Sequence, residues 1–156
     1  MDPGGIIEPF DDSLDIRGHV VGVVHVARTR NDAAGIARMK DFSYFIKNDR
    51  GFWHVSVIEG DNDIEGFLVT CDHPGLNIMG PGAARREEQA ATLIHRELNP
   101  YRGRQPLFIV PVDCGNLVRM LYGWGARNCE LHVSQVRGEA VPSRGVIMPT
   151  FLPESA

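Results

Sequence analysis

The chain has 156 residues, 43% hydrophobic and 23% charged, and its 16 Lys and Arg against 20 Asp and Glu give a formal charge of −4. That is length for one globular domain with a real core, and the acidic balance excludes a general nucleic-acid binder, which shows a basic face. No apolar run approaches the roughly 20 residues that span a bilayer. The acidic start Met1-Asp2-Pro3 lacks the apolar stretch of a secretory signal, and Cys71, Cys114 and Cys129, odd in number and widely spaced, read as reduced thiols of a cytoplasmic protein.

Residues 1–18, with Gly4-Gly5, two prolines and Asp11, Asp12 and Asp15, read as a loose arm, and residues 19–156 as a single domain. Residues 20–27 (VVGVVHVA) are rich in β-branched residues and almost wholly apolar, the pattern of a buried strand. Asn31 or Asp32 can cap a helix in which Ile36, Met39, Ser43 and Ile46 recur every three or four residues. Residues 52–58 and 64–70 then read as two strands, and Gly60-Asp61-Asn62-Asp63 joins them as a hairpin.

A short apolar run, 76–79, ends in Gly80-Pro81-Gly82, which the spacing predicts to be a strand-to-helix turn. The helix is expected from about Ala84 to Leu98, with Ala90, Ala91, Ile94 and Leu98 on one face and Arg85, Arg86, Glu87 and Glu88 in a solvated first turn. Pro100 and Gly103 end it. Residues 107–112 (LFIVPV) read as a fully buried strand. Asp113 or Asn116 then caps a shorter helix that carries Leu117, Met120, Leu121 and Trp124 on one face and closes at Gly125. Residues 129–136 alternate, so Glu130 and His132 share a face opposite Leu131 and Val133. A last strand, 146–152, is interrupted by Pro149 and is expected at an edge. This order gives α/β architecture: a mixed, largely antiparallel sheet of about seven strands with helices on both faces.

Two stretches carry chemistry. The passage from 76 to 98 puts glycines and two arginines at the start of a helix, where free amides and the helix dipole favour a phosphate-bearing ligand. It is neither a P-loop, since no Gly-Lys-Ser/Thr follows, nor a GxGxxG fingerprint. The bland alternative is a tight turn alone. The second stretch is DCGNLVRMLYGWGARNCELH, residues 113–132.

With the element order, that second stretch resembles the closing strand, helix and strand of the GNAT N-acetyltransferase superfamily, with Asn116, Leu121-Tyr122 and Gly125-Ala126 in the places of its Asn, Tyr and Gly-Phe. The likeness extends over about residues 20–152. It implies a GNAT-like fold, acetyl-coenzyme A as co-substrate and acetyl transfer to an amine of a small molecule or a peptide. By the same likeness, Ile78, Met79 and Gly80 would lie beside the pantetheine arm and the thioester. Arg85, Arg86 and Ala90 would belong to the pyrophosphate loop, in which Glu88 stands where the family has its first glycine. An alternative register uses Gly80 and Gly82, with Asn77 in the leading position. Tyr122 would protonate the departing thiolate, although it lies three residues before Gly125 where the family has four.

Glu130 and His132 are the candidate bases for the acceptor amine, with Asp72-His73 second. Arg96, Arg102 and Arg104 either form a solvated face or, under the resemblance, meet the adenosine phosphate. No metal site is expected, because Cys71-Asp72-His73 has no second ligand pair at suitable spacing. Glu88 and the spacing of Tyr122 also fit a second reading, a non-catalytic GNAT-like structural or regulatory domain. The apolar Phe151-Leu152 after Pro149 suits packing in a homodimer.

Overall fold

The structure is a computed structural model and describes residues 39–133, 137–139 and 143–150. The arm at 1–18, the strand at 20–27, the helix start at Asn31 or Asp32 and the Phe151-Leu152 tail lie outside the described residues. Within them the order is α1 (Met39–Lys47), β1 (Trp53–Glu59), β2 (Ile64–His73), β3 (Leu76–Ala84), α2 (Glu87–Glu97), a 3-10 turn (Asn99–Tyr101), β4 (Leu107–Phe108), α3 (Gly115–Gly123) and β5 (Val146–Met148). Among the described residues the fold is mixed α/β, with one open sheet of five strands that is largely antiparallel.

The hairpin forms as its alternation requires. β1 and β2 pair antiparallel from Trp53↔Cys71 to Glu59↔Ile64, and a bulge beside the turn lets Glu65 stand out of register. Successive side chains of β2 go to opposite faces. Phe67, Val69 and Cys71 join Phe42, Phe45 and Trp53 under α1. Leu68 goes the other way, to Ala90, Ala91, Leu93 and Ile94 of α2 and Leu117 and Leu121 of α3. Helices therefore cover both faces.

The inward face of α1 differs from the expectation. Phe42 and Phe45 are buried while Ser43 is exposed. Phe42 meets Phe67 edge-on with ring centroids 4.9 Å apart. Burying two phenyl rings removes far more apolar area than burying Ser43 and Ile46, and the helix turns accordingly. Asn48 ends α1 at φ +46° and locks it to the sheet, its side chain accepting from the Trp53 amide at 2.9 Å and donating to the Trp53 carbonyl at 2.8 Å.

Four further expectations are corrected. Gly80-Pro81-Gly82 is no turn: β3 runs through it to Ala84, with a cis Gly80–Pro81 bond, and α2 starts at Glu87 rather than Ala84. The segment 107–112 is not fully buried: among the described residues only Leu107 and Phe108 find a partner strand, and Leu107 and Val112 are 47% and 79% exposed. Residues 129–133 make no ladder, and Leu131 and Val133 both stand in solvent. The short helix is capped by neither Asp113 nor Asn116: Cys114 is its N-cap residue, without a side-chain cap bond. Its other end matches, since Gly125 takes φ +96° and the Ala126 and Gly125 amides bond back to the carbonyls of Leu121 and Tyr122, each at 3.0 Å.

Candidate functional site

β3 is the centre of the sheet, and one of its edges is split. Along β2 it pairs at both ends, Gly66↔Ala84 to Leu68↔Gly82 and Thr70↔Met79 to His73↔Leu76, with a bulge between them at Gly80 and Pro81. On the other edge β4 runs parallel to it for two residues only, Ile78↔Leu107 and Met79↔Phe108. Beyond the bulge that edge belongs to β5, through Gly82↔Met148, Ala83↔Ile147 and Ala84↔Val146. The bulge thus marks where β4 leaves and β5 takes over. Gly80 sits there at φ +128°, and a Cβ on it would come 2.6 Å from the carbonyl oxygen of Pro149.

This places the candidates in β3. Ile78 is 7% exposed and Met79 fully buried, and Gly80 and Gly82 are buried as well. The Gly82 position is closed by Leu68 Cδ1 and Met148 Cε, each 2.8 Å from where a Cβ would stand. These glycines serve strand packing here.

The start of α2 follows directly. The Arg85 amide donates to the Glu65 carbonyl at 3.0 Å, and the Arg86 amide to Gln89 Oε1 at 3.1 Å. Gln89 Nε2 in turn donates to the Glu65 carboxylate. The guanidinium groups lie 3.9 Å from Asp63 for Arg85 and 3.7 Å from Glu65 for Arg86, with side chains 51% and 66% exposed. Such solvated pairs hold weakly, so both arginines are free to swing toward another anion. A cleft of about 260 Å³ opens beside Arg85, lined also by Gly60, Asp61, Asn62, Asp63 and Glu65. Ala90 is fully buried against the sheet and faces the core, while Glu88 is exposed.

The remaining candidates follow β4. Asn116 is exposed at the start of α3 and accepts a hydrogen bond from Arg119. Tyr122, 48% exposed, lies on the side of α3 away from buried Leu121. Glu130 and His132 do share a side, with Oε2 and Nε2 3.8 Å apart at the surface. Among the described residues no group of three or more His, Cys, Asp or Glu could hold a metal ion.

The sequence reading missed a buried polar network on the α2 face. Glu97 is 5% exposed and accepts hydrogen bonds from Ser56 of β1 and, at 2.6 Å, from Thr70 of β2. Tyr101 beside it donates to the Cys71 carbonyl at 2.8 Å. Burial, the largest influence, pushes its phenol up to about 12. Burial likewise raises the Cys71 thiol. A signal for Glu97 was present: it lies three residues after Ile94, on the apolar stripe of α2. Arg104 pins the same region, bonding Asp72, Asn77 and the Pro100 carbonyl and lying 4.8 Å over the Tyr101 ring.

Among the described residues no helix is long and apolar enough to cross a membrane. Comparison with protein-family models, with curated proteins and with solved structures finds no match to this chain.

Proposed function

We propose that the chain is an acetyl-coenzyme A-dependent N-acetyltransferase of GNAT-like layout, acting in the cytoplasm on an amine of a small molecule or peptide. One observation carries this reading: β3 and β4, parallel and joined through α2, stay together for two residues and part at the Gly80 bulge. A parted parallel pair is what the resemblance asks of the strands beside a pantetheine arm, and two exposed, weakly paired arginines at the start of α2 support a diphosphate there.

In this reading the acceptor nitrogen forms its bond to the thioester carbonyl carbon, the carbon–sulfur bond breaks, and Tyr122 gives the leaving thiolate its proton. The attacking nitrogen gives up its surplus proton to Glu130 or His132, which leaves a neutral amide. Backbone N–H groups hold the tetrahedral oxyanion. The described β3 edges also set a condition. At Ile78 and Met79 both are taken, by β2 and β4, and at Gly82 to Ala84 by β2 and β5. Pantetheine must therefore displace β5 or enter beside it.

That condition is the observation favouring a second reading, a non-catalytic domain of the same layout whose cleft its own β5 fills. Calorimetric titration with acetyl-coenzyme A separates the two. Low-micromolar binding by the wild type, weakened in Arg85→Ala, supports the transferase and is followed by an amine-acceptor screen. No heat and no thermal stabilisation at millimolar cofactor overturns it in favour of the scaffold.

A further inference from the structure

α3 lacks a cap of its own. Cys114 supplies no side-chain bond, and the Asn116 side chain is turned to Arg119. The acceptor at its first turn comes instead from thirty residues back: Oε2 of Glu87, the first residue of α2, accepts from the Leu117 amide at 2.6 Å. A carboxylate at a helix N-terminus meets both an orphan donor and the positive end of the dipole. Leu117 and Leu121 pack in one cluster with Ala90, Ala91, Leu93 and Ile94 of α2, which holds the two helices together. To that packing the Glu87–Leu117 bond adds a directional contact between the two helix starts.

We propose that Glu87 is a positioning residue: it fixes where α3 stands on α2, and through α3 it fixes the Tyr122 phenol. A second contact reports on the same placement from the far end of the helix, where the Trp124 ring lies 5.3 Å from the His95 ring of α2. The proximity of Glu87 to Cys114 also helps hold that thiol above its ordinary value, after burial and Asp113. The catalytic consequence rests on the transferase reading; the placement of α3 does not.

The test uses the full chain labelled with fluorotryptophan, whose two tryptophans, Trp53 and Trp124, give separate fluorine resonances. In Glu87→Ala the Trp124 resonance should move or broaden while that of Trp53 stays, and the Leu117 amide should exchange about five- to tenfold faster, as for loss of a helix cap. Glu87→Gln keeps an acceptor oxygen and should restore both signals. Glu88→Gln, next door on the exposed side, should change neither. In the transfer assay Glu87→Ala should lower kcat and leave KM for acetyl-coenzyme A within about twofold. An unmoved Trp124 resonance together with unchanged Leu117 exchange overturns the proposal. Should Glu87→Ala not fold, Glu87→Asp, shorter by one methylene, carries the same comparison. A wild type that binds no acetyl-coenzyme A removes the transferase reading, and the fluorine and exchange signals still decide the role of Glu87.

Discussion

Gly80→Ala puts a methyl group at the point where β3 changes partner. Two costs arise. The backbone there is at φ +128°, which a residue with a Cβ adopts at a cost of about 1–3 kcal/mol. The new carbon would also lie 2.6 Å from the Pro149 carbonyl oxygen, inside contact distance, so β5 must back away. Full release of β5 would expose Val146 and Met148, now 2% and 1% exposed, at about 1.5–3 kcal/mol each. The chain will take the cheaper mixture of strain and loosening, so the expected loss is about 2–5 kcal/mol, a large share of the ~5–15 kcal/mol that holds most domains folded. Gly103→Ala is the control: its φ is +78° and nothing lies within 4 Å, so it carries only the backbone penalty of about 1 kcal/mol. Urea unfolding of the two variants, with slopes checked against the wild type, gives the difference. If Gly80→Ala costs no more than Gly103→Ala, the Pro149 carbonyl does not abut Gly80 and the reasoning fails.

Two other outcomes follow from the buried groups. Tyr101 titrates near 10 when unfolded and near 12 in the fold, so its neutral form contributes stability that is complete below pH 10 and lost as pH rises toward 12; Tyr101→Phe should remove this alkaline limb, read by thermal melts across that range. Thiol labelling should take exposed Cys129 first and leave Cys71, 2% exposed and with its thiol raised by burial, unreacted until the chain unfolds; rapid labelling of Cys71 in native protein would show that α1 does not cover it.

What could be read from the sequence was whatever local pattern decides. The β1–β2 hairpin rests on alternation and a Gly-Asp-Asn-Asp turn, the buried face of α2 on Ala90, Ala91 and Ile94, and the close of α3 on Gly125. What stayed hidden depends on partners distant in sequence. Gly80-Pro81-Gly82 looks like punctuation, yet pairing with β2 on one side and β5 on the other carries the strand through it. The apolar run at 107–112 looks central, but a strand is buried only where neighbours cover it, and among the described residues β4 pairs with β3 alone. For the candidate site, the arginines of α2 and the Glu130–His132 pair were visible as residue types, whereas the role of Glu87 needed the position of α3, an element thirty residues away.

The shared edge of β3 also bears on how the chain reaches its fold. β1, β2 and β3 succeed one another through tight turns, so their ladders close short loops at small entropic cost. β5 arrives from far down the chain, after α2 and α3, to cover Gly82, Ala83 and Ala84. In the interval a row of unpaired amides and carbonyls on a central strand stands open, bordered by the small side chains of two alanines. A strand of another copy of the chain can pair there before β5 does, so the span before β5 docks is the period of greatest exposure to misassembly.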